Sequence, residues 1–332
     1  KMFKPCFSAT QVAGAIGRHK YQTVQQVMYE VFKKDTHAAE IIKSIEQIYN
    51  RKPIKNFKGA VLNDRDIQKS VFTALDYCKV ADKAAAFEVA AAEVLVEAEK
   101  RSHELDLKKA AGIEISDEEK KAVEIALVQA TEARKIAAAQ VAAAPSVAAS
   151  LDAVEAACKK VVERTPNMTP EMATQLLADA RGEVSKKRGL QNEDSILNTY
   201  ESERKVVVTE RNTRMLRMEK DDFTLVGRTD GFVAEQNRVV DSKDRTTYWK
   251  TVPVYDEIQL RVYMHLLDAK DSELIEKFPN GTRRTTVFVN DPEEWADIES
   301  KLHLVAHTMR DILSDASSLE ELVFKNTVEN GA

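Results

Sequence analysis

Cysteine is scarce in this chain. Cys6, Cys78 and Cys158 are the three present in 332 residues, odd in number and far apart. They form no CxxC pair, which argues against a zinc ribbon and against a disulfide scaffold; a reducing compartment, cytoplasm or nucleus, is expected. Long apolar runs are also missing. None approaches the roughly 20 residues that cross a bilayer, and the opening KMFKPCFSATQ lacks the apolar centre of a secretory signal, so no membrane partner is expected. The chain starts at Lys1 rather than Met, which leads us to expect residues upstream. Nor is there an excess of positive charge. A net charge of −5 and a pI of about 5.8 argue against coating nucleic acid by bulk electrostatics. An enzyme whose basic surface lines one groove remains compatible.

What is present falls into three textures. With 43% hydrophobic and 31% charged residues, the composition is that of a soluble globular chain, long enough for one large domain with an insertion or for two domains. Residues 1–79 mix helical patterns with basic loops: FSATQVAGAIG starts as a helix capped by Ser8 with Gln11 three residues on, YQTVQQVMYEVFKK and AAEIIKSIEQIYNR carry apolar residues at helical spacing, and NRKPIKNFKG reads as a basic loop. Residues 80–165 are alanine-rich, a composition favouring long helices folded as a hairpin or small bundle. Breaks are expected at Gly112, before the capping box that starts at Ser116, and at Pro145.

Residues 166–332 form the third part. Thr169-Pro170-Glu171 predicts a helix start, with the helix broken near Gly182 and Gly189 and ending near Tyr200. RKVVVTERN, FTLVGRTDGFVAE and NRVVDSK predict strands, DEIQLRVYMHLLDAK a helix, TTVFVN a strand and DPEEWADIESKLHLVAHTMRDIL a last helix. That order implies an α/β fold, a mixed central sheet flanked by helices, with the alanine-rich stretch as a helical insertion.

Chemistry concentrates in VGRTDGFVAEQNRVVDSKDR. One strand ends at Asp230, and on the next Asp241 and Lys243 alternate onto one face. If the two strands pair as a hairpin, Asp230 converges on that face, and paired carboxylates of this kind suit a Mg²⁺ ion completed by water. Glu193 lies upstream on a predicted helix; Gln259 and Tyr263 lie four apart on one helical face downstream.

The succession G-x-x-x-E (Gly189 to Glu193), Asp230-Gly231, Asp241-Ser242-Lys243 and Gln259-x-x-x-Tyr263 resembles the PD-(D/E)XK nuclease superfamily. Within it the closest likeness is to the lambda exonuclease and YqaJ-like viral recombinase group, which opens with a segment similar to FSATQVAGAIGRHKY. The likeness covers residues 1–30 and about 185–270. It implies a restriction-endonuclease-like core in which Glu193, Asp230 and Asp241 hold Mg²⁺ (Mn²⁺ as a substitute), Lys243 is the catalytic lysine and Gln259 orients it or the attacking water. It also matches Ser8 to a serine that binds a terminal 5′-phosphate, as a helix N-terminus is suited to do.

Arg18, His19, Lys20, Lys186, Lys187 and Arg188 are candidates for phosphate contacts. Tyr263 reads as core. His303 and His307, one turn apart but without the Glu of an HExxH motif, read as structural. Thr229 replaces a common Pro, and Asp241 a common Glu one methylene longer. The implied activity is 5′-to-3′ digestion of duplex DNA ends in recombination or repair, with a single-strand annealing protein and further copies of the chain as candidate partners. Two alternatives stand beside it. One is an endonuclease on the same core; the other is a decayed nuclease core acting as a DNA-binding or assembly factor through its helical insertion. An iron–sulfur version would need four clustered cysteines.

Overall fold

The computed structural model describes residues 3–53, 63–166, 168–279 and 281–329. A short strand, β1 (Cys6–Ser8), runs directly into helix α1 (Ala9–Ala15). Helices α2 (Val24–Phe32) and α3 (Thr36–Ile48) follow; Thr23 and Asp35 cap them by accepting from the backbone N–H of Gln26 and Ala38. Part of the basic stretch expected to be a loop is a strand: β2 (Arg51–Pro53) pairs antiparallel with β9 (Thr327–Glu329). The remainder of that stretch, from residue 54, lies outside the described residues.

Four long helices come next, α4 (Arg65–Ala110), α5 (Asp117–Ala143), α6 (Val147–Arg164) and α7 (Pro170–Arg204). The first begins well ahead of the alanine-rich run. Helices α4 and α5 pack as a hairpin around Leu95, Ala98 and Ala130, reversing at Gly112, whose φ of +71° is accessible to glycine without penalty. Asp117–Arg164 has a window of mean hydropathy 1.3, apolar enough by composition alone for a membrane span, contrary to the sequence expectation. The chain divides there into α5 and α6, with Ala144 and Ser146 flanking Pro145, and 28% of the window is buried.

Helix α7 is continuous through Gly182 and Gly189, where a break was expected. Each glycine forfeits about 1 kcal/mol of helix propensity, which packing along two different faces outweighs. Leu176, Ala180 and Val184 bury against α4 and α6. Further along, Ile196, Leu197 and Tyr200 bury against Val233, Val240 and Ile275 of the sheet. One helix thus serves two cores, and Glu193 sits where it passes from one to the other.

RKVVVTERN is not a strand. Lys205, Glu210 and Asn212 have positive φ, which interrupts extended pairing, and Thr209 makes an isolated bridge to Phe232. The segment read as one strand through Asp230 is two, β4 (Thr224–Gly227) and β5 (Gly231–Val233), assigned to different sheets. Strand β3 (Leu216–Glu219) pairs with β4 on one side and β1 pairs with it, in parallel, on the other. The second sheet has the order β5-β6-β7-β8, with β6 Arg238–Asp244, β7 Asp271–Lys277 and β8 Arg283–Val289. β5–β6 and β7–β8 are antiparallel, whereas β6–β7 is parallel. The crossover from β6 to β7 is helix α8 (Val254–Leu267), and α9 (Pro292–Ser314) and α10 (Ala316–Asn326) complete the chain's helices among the described residues. A mixed α/β core with helices on its faces is therefore what the chain builds.

Candidate active site

Hairpin register does the first part of the work. Gly231 pairs with Val240, so the preceding Asp230 falls beside Asp241 on the neighbouring strand. Asp241 and Lys243, two apart on β6, meet as strand alternation requires: Lys243 Nζ lies 2.5 Å from Asp241 Oδ2. The other carboxylate oxygen, Asp241 Oδ1, is buried and has no hydrogen-bond partner. Asp230 Oδ2 accepts from the backbone N–H of Ser242 at 2.8 Å and is 3.2 Å from its hydroxyl. From α7, Glu193 Oε1 accepts a hydrogen bond from the side-chain amide of Asn212.

These groups feel one another electrostatically. Burial pushes the Asp241 carboxyl up to about 7, with the Asp230 charge adding to it. Burial likewise raises Asp230, with Glu193 contributing, and it raises Glu193, with Asp241 and Asp194 contributing. Burial pulls against the charged form of Lys243, but Asp241, Asp230 and Asp256 together hold its pKa above the ordinary lysine value. Three carboxylates thus share a site with one ammonium.

Among the described residues, no three His, Cys, Asp or Glu side chains are close enough to form a metal-binding cluster. Glu193 is turned to Asn212 and Asp230 to Ser242. The donor set nevertheless fits a hard divalent cation: all three candidates are carboxylates, and the unpartnered Asp241 Oδ1 is a buried acceptor of the kind that costs free energy until something binds it.

Gln259 donates from its side-chain amide to Tyr263 Oη at 3.0 Å. Tyr263, expected to be plain core, is buried but borders the site; its phenol is pushed up to about 12 by burial and by Asp241. Gly231 also has a definite role. A Cβ there would lie 2.1 Å from Val208 Cγ1, so Gly231→Ala should destabilise the protein by about 2 kcal/mol in urea denaturation, and adding Val208→Ala should restore most of the loss. A single variant as stable as the parent would show that Val208 moves freely.

The remaining candidates are dispersed. The Ser8 hydroxyl is bonded to Gln11 Oε1 at 3.0 Å and lies 3.1 Å from the Thr10 hydroxyl. Ser8 is at the end of β1 that pairs with Val226, near the exit of β4 towards Asp230. Arg18 pairs with Asp297 at 2.7 Å, and Lys20 is exposed, 5.4 Å from the Tyr21 ring centre. Lys186 is exposed, while Lys187 lies 3.5 Å from Glu183 and over the Phe72 ring.

Arg188 is not on a DNA-facing surface. It is 1% exposed and its guanidinium meets Asp82 at 2.8 Å and Asp244 at 3.0 Å. Its position continues the buried i, i+4 series Leu176, Ala180, Val184, a spacing that marks it as interior. Asn192, one turn further, donates to both Asp82 and Asp244. Sequence reading also missed Asp256 and Arg245, which pair at 2.7 Å beneath the site. Nothing in their sequence context marks them. His303 and His307 both approach Asp222, at 2.9 and 3.2 Å, beside Arg310.

A family model described as the PD-(D/E)XK nuclease superfamily matches residues 136–324. No curated protein is significantly similar to the chain. Solved structures similar to it include a phage-related exonuclease from Haemophilus somnus 129PT, with 13% identity over 49% of this chain and 83% of that one at a TM-score of 0.32. Another is an alkaline exonuclease from Laribacter hongkongensis, with 14% identity over 53% of this chain and 87% of that one at a TM-score of 0.34.

Proposed function

The chain belongs to the PD-(D/E)XK nuclease superfamily, and from that premise we propose that it hydrolyses DNA phosphodiester bonds with Mg²⁺ as cofactor. The observation that carries the proposal is the Asp241–Lys243 pair with one buried carboxylate oxygen free and Asp230 across the hairpin. Asp230, Asp241 and Glu193 would hold the cation. When bound, it supplies charge neutralisation at the scissile phosphate and a water of lowered pKa. Lys243, held protonated by its acidic neighbours, stabilises negative charge developing on the phosphate. Gln259 acts through Tyr263, keeping that phenol oriented at the edge of the carboxylate group.

The finer reading is 5′-to-3′ digestion of duplex ends during recombination or repair, in a viral or phage setting and a reducing compartment of the host, together with a single-strand annealing protein and further copies of the chain. It rests on the FSATQ segment and on the position of Ser8 at the end of β1. The test is incubation of linear duplexes with and without a 5′-phosphate, and of closed circular duplex, with Mg²⁺ or EDTA. Loss of the 5′-phosphorylated strand alone, abolished by EDTA and by Lys243→Ala, is expected. Cutting of circular DNA would instead make the protein an endonuclease, and no cleavage with Mg²⁺ or Mn²⁺ would make it a decayed nuclease core.

A further inference from the structure

Beside the catalytic hairpin lies a cleft of about 440 Å³ lined by Arg18, His19, Lys20, Trp249 and Tyr255. Two of the lining rings, His19 and Tyr255, form an aromatic cluster with the adjacent Tyr21. His19 lies over Tyr255 with centroids 4.5 Å apart at 31°, and Tyr21 stands edge-on to both, at 6.2 and 6.4 Å. Tyr21 is 63% exposed and carries the Lys20 ammonium at its face. Trp249, also in the lining, is held in place: its indole N–H donates to Thr247, and its carbonyl accepts from Arg284 at 2.8 Å.

The cleft adjoins the proposed chemistry. Tyr255 precedes the buried Asp256, which pairs with Arg245 and acts electrostatically on both Asp241 and Lys243. Lys243 in turn acts on Tyr255. Burial lowers the His19 pKa, so that ring is neutral near pH 7 and serves as a flat surface rather than as a phosphate-binding cation. Aromatic rings left partly open to water, with a lysine alongside, suit a flat aromatic guest whose backbone is anionic.

We propose that this cleft binds an unpaired base of single-stranded DNA, stacked on Trp249 and Tyr255, with Tyr21 bracing Tyr255 from the cleft's edge and Lys20 on the base's phosphate. The proposal rests on the nuclease reading for its substrate class. It assigns the cleft the role of holding the strand on one side of the site that cleaves it. Because every base presents a π-face, the binding tolerates sequence.

The test uses the full chain in EDTA, with a thymidine hexamer and an abasic hexamer of equal charge as probes. The chain has two tryptophans. Trp295 is 8% exposed and stacked on His265 at 3.8 Å, so a change in indole fluorescence on binding reports Trp249. The thymidine hexamer should quench that fluorescence and bind about 10-fold more tightly than the abasic chain. Tyr255→Leu and Tyr21→Ala should each remove most of this difference without changing abasic affinity. Tyr21 is exposed enough for its variant to fold whatever happens at Tyr255. Equal affinity for the two probes, without quenching, overturns the proposal. Cleavage of linear duplex in Mg²⁺ is measured on the same preparation: cleavage without base-dependent binding removes the cleft alone, whereas base-dependent binding without cleavage removes the nuclease reading and leaves the cleft standing.

Discussion

Asp241→Asn should reduce DNA cleavage by on the order of 10³-fold and, in the metal-free protein, raise stability above pH 7. The two effects share one cause. Burial and the neighbouring Asp230 hold the Asp241 carboxyl at about 7, against 3.8 ordinarily, even with Lys243 at 2.5 Å. Between those two values the folded protein binds a proton that the unfolded chain has released. The stability this contributes is therefore present in full below pH 4 and is lost as pH rises to about 7. Beyond that the charge stays in place as a fixed penalty. Asparagine fits the same space and does not ionise. In thermal melts with EDTA from pH 5 to 9, the parent should lose Tm through pH 7 and the variant should lose much less. Adding Mg²⁺ at pH 8 should raise the parent's Tm, since a cation that binds only the folded state stabilises it, and should leave the variant almost unmoved. Parallel pH curves for the two proteins would mean that Asp241 is ionised throughout.

Arg188→Ala should destabilise the fold by about 3–5 kcal/mol, the largest effect expected of any residue outside the hairpin of β5 and β6. The guanidinium is enclosed, with Asp82 from α4 and Asp244 from the end of β6 as partners. Removing it leaves two interior carboxylates, of which Asp244 is already raised by burial. Lys277 approaches Asp82 at 3.8 Å and offers partial relief. The measurement is the urea midpoint, read with an unchanged transition slope. Exchanging all three residues together, as Arg188→Met with Asp82→Ala and Asp244→Asn, should recover most of the stability, because the penalty comes from unpaired charge and not from lost volume. A loss of less than about 1 kcal/mol in the single variant would mean that water reaches the cluster and screens it.

The parts legible in the sequence were those in which one local pattern decides the structure. The alternation in NRVVDSK requires Asp241 and Lys243 to share a face, and the structure brings them together. The capping boxes and the proline at residue 170 mark helix starts found at Ser116 and Thr169. Where partners lie far along the chain, the pattern misleads. DSELIEK has the look of charged surface, yet it forms β7 with Glu273 and Glu276 fully buried. Arg204, Arg238 and Tyr200 hold the first, and Arg245 and Arg284 the second. Val206 and Val208 looked like a strand but pack as isolated side chains against α7 and the sheet, between left-handed residues. Arg188 carries a surface residue's charge at an interior residue's spacing, four beyond Val184, and the spacing decides its burial.

The parallel pairing of β1 with β4, Cys6 against Thr224, has a consequence for how the chain assembles. Its partners are separated by on the order of 200 residues, much of that span taken up by the long helices. Closure entropy grows only logarithmically, by ~0.6 kcal/mol for each doubling of the span, so lengthening or trimming the helical hairpin alters the equilibrium very little. The rate is another matter. Contacts between distant residues form after local ones, and the hairpin of α4 and α5 closes over a short reversal at Gly112. The hairpin should therefore be complete while β1 is still unattached, and docking of the N-terminal strand should set the pace of folding.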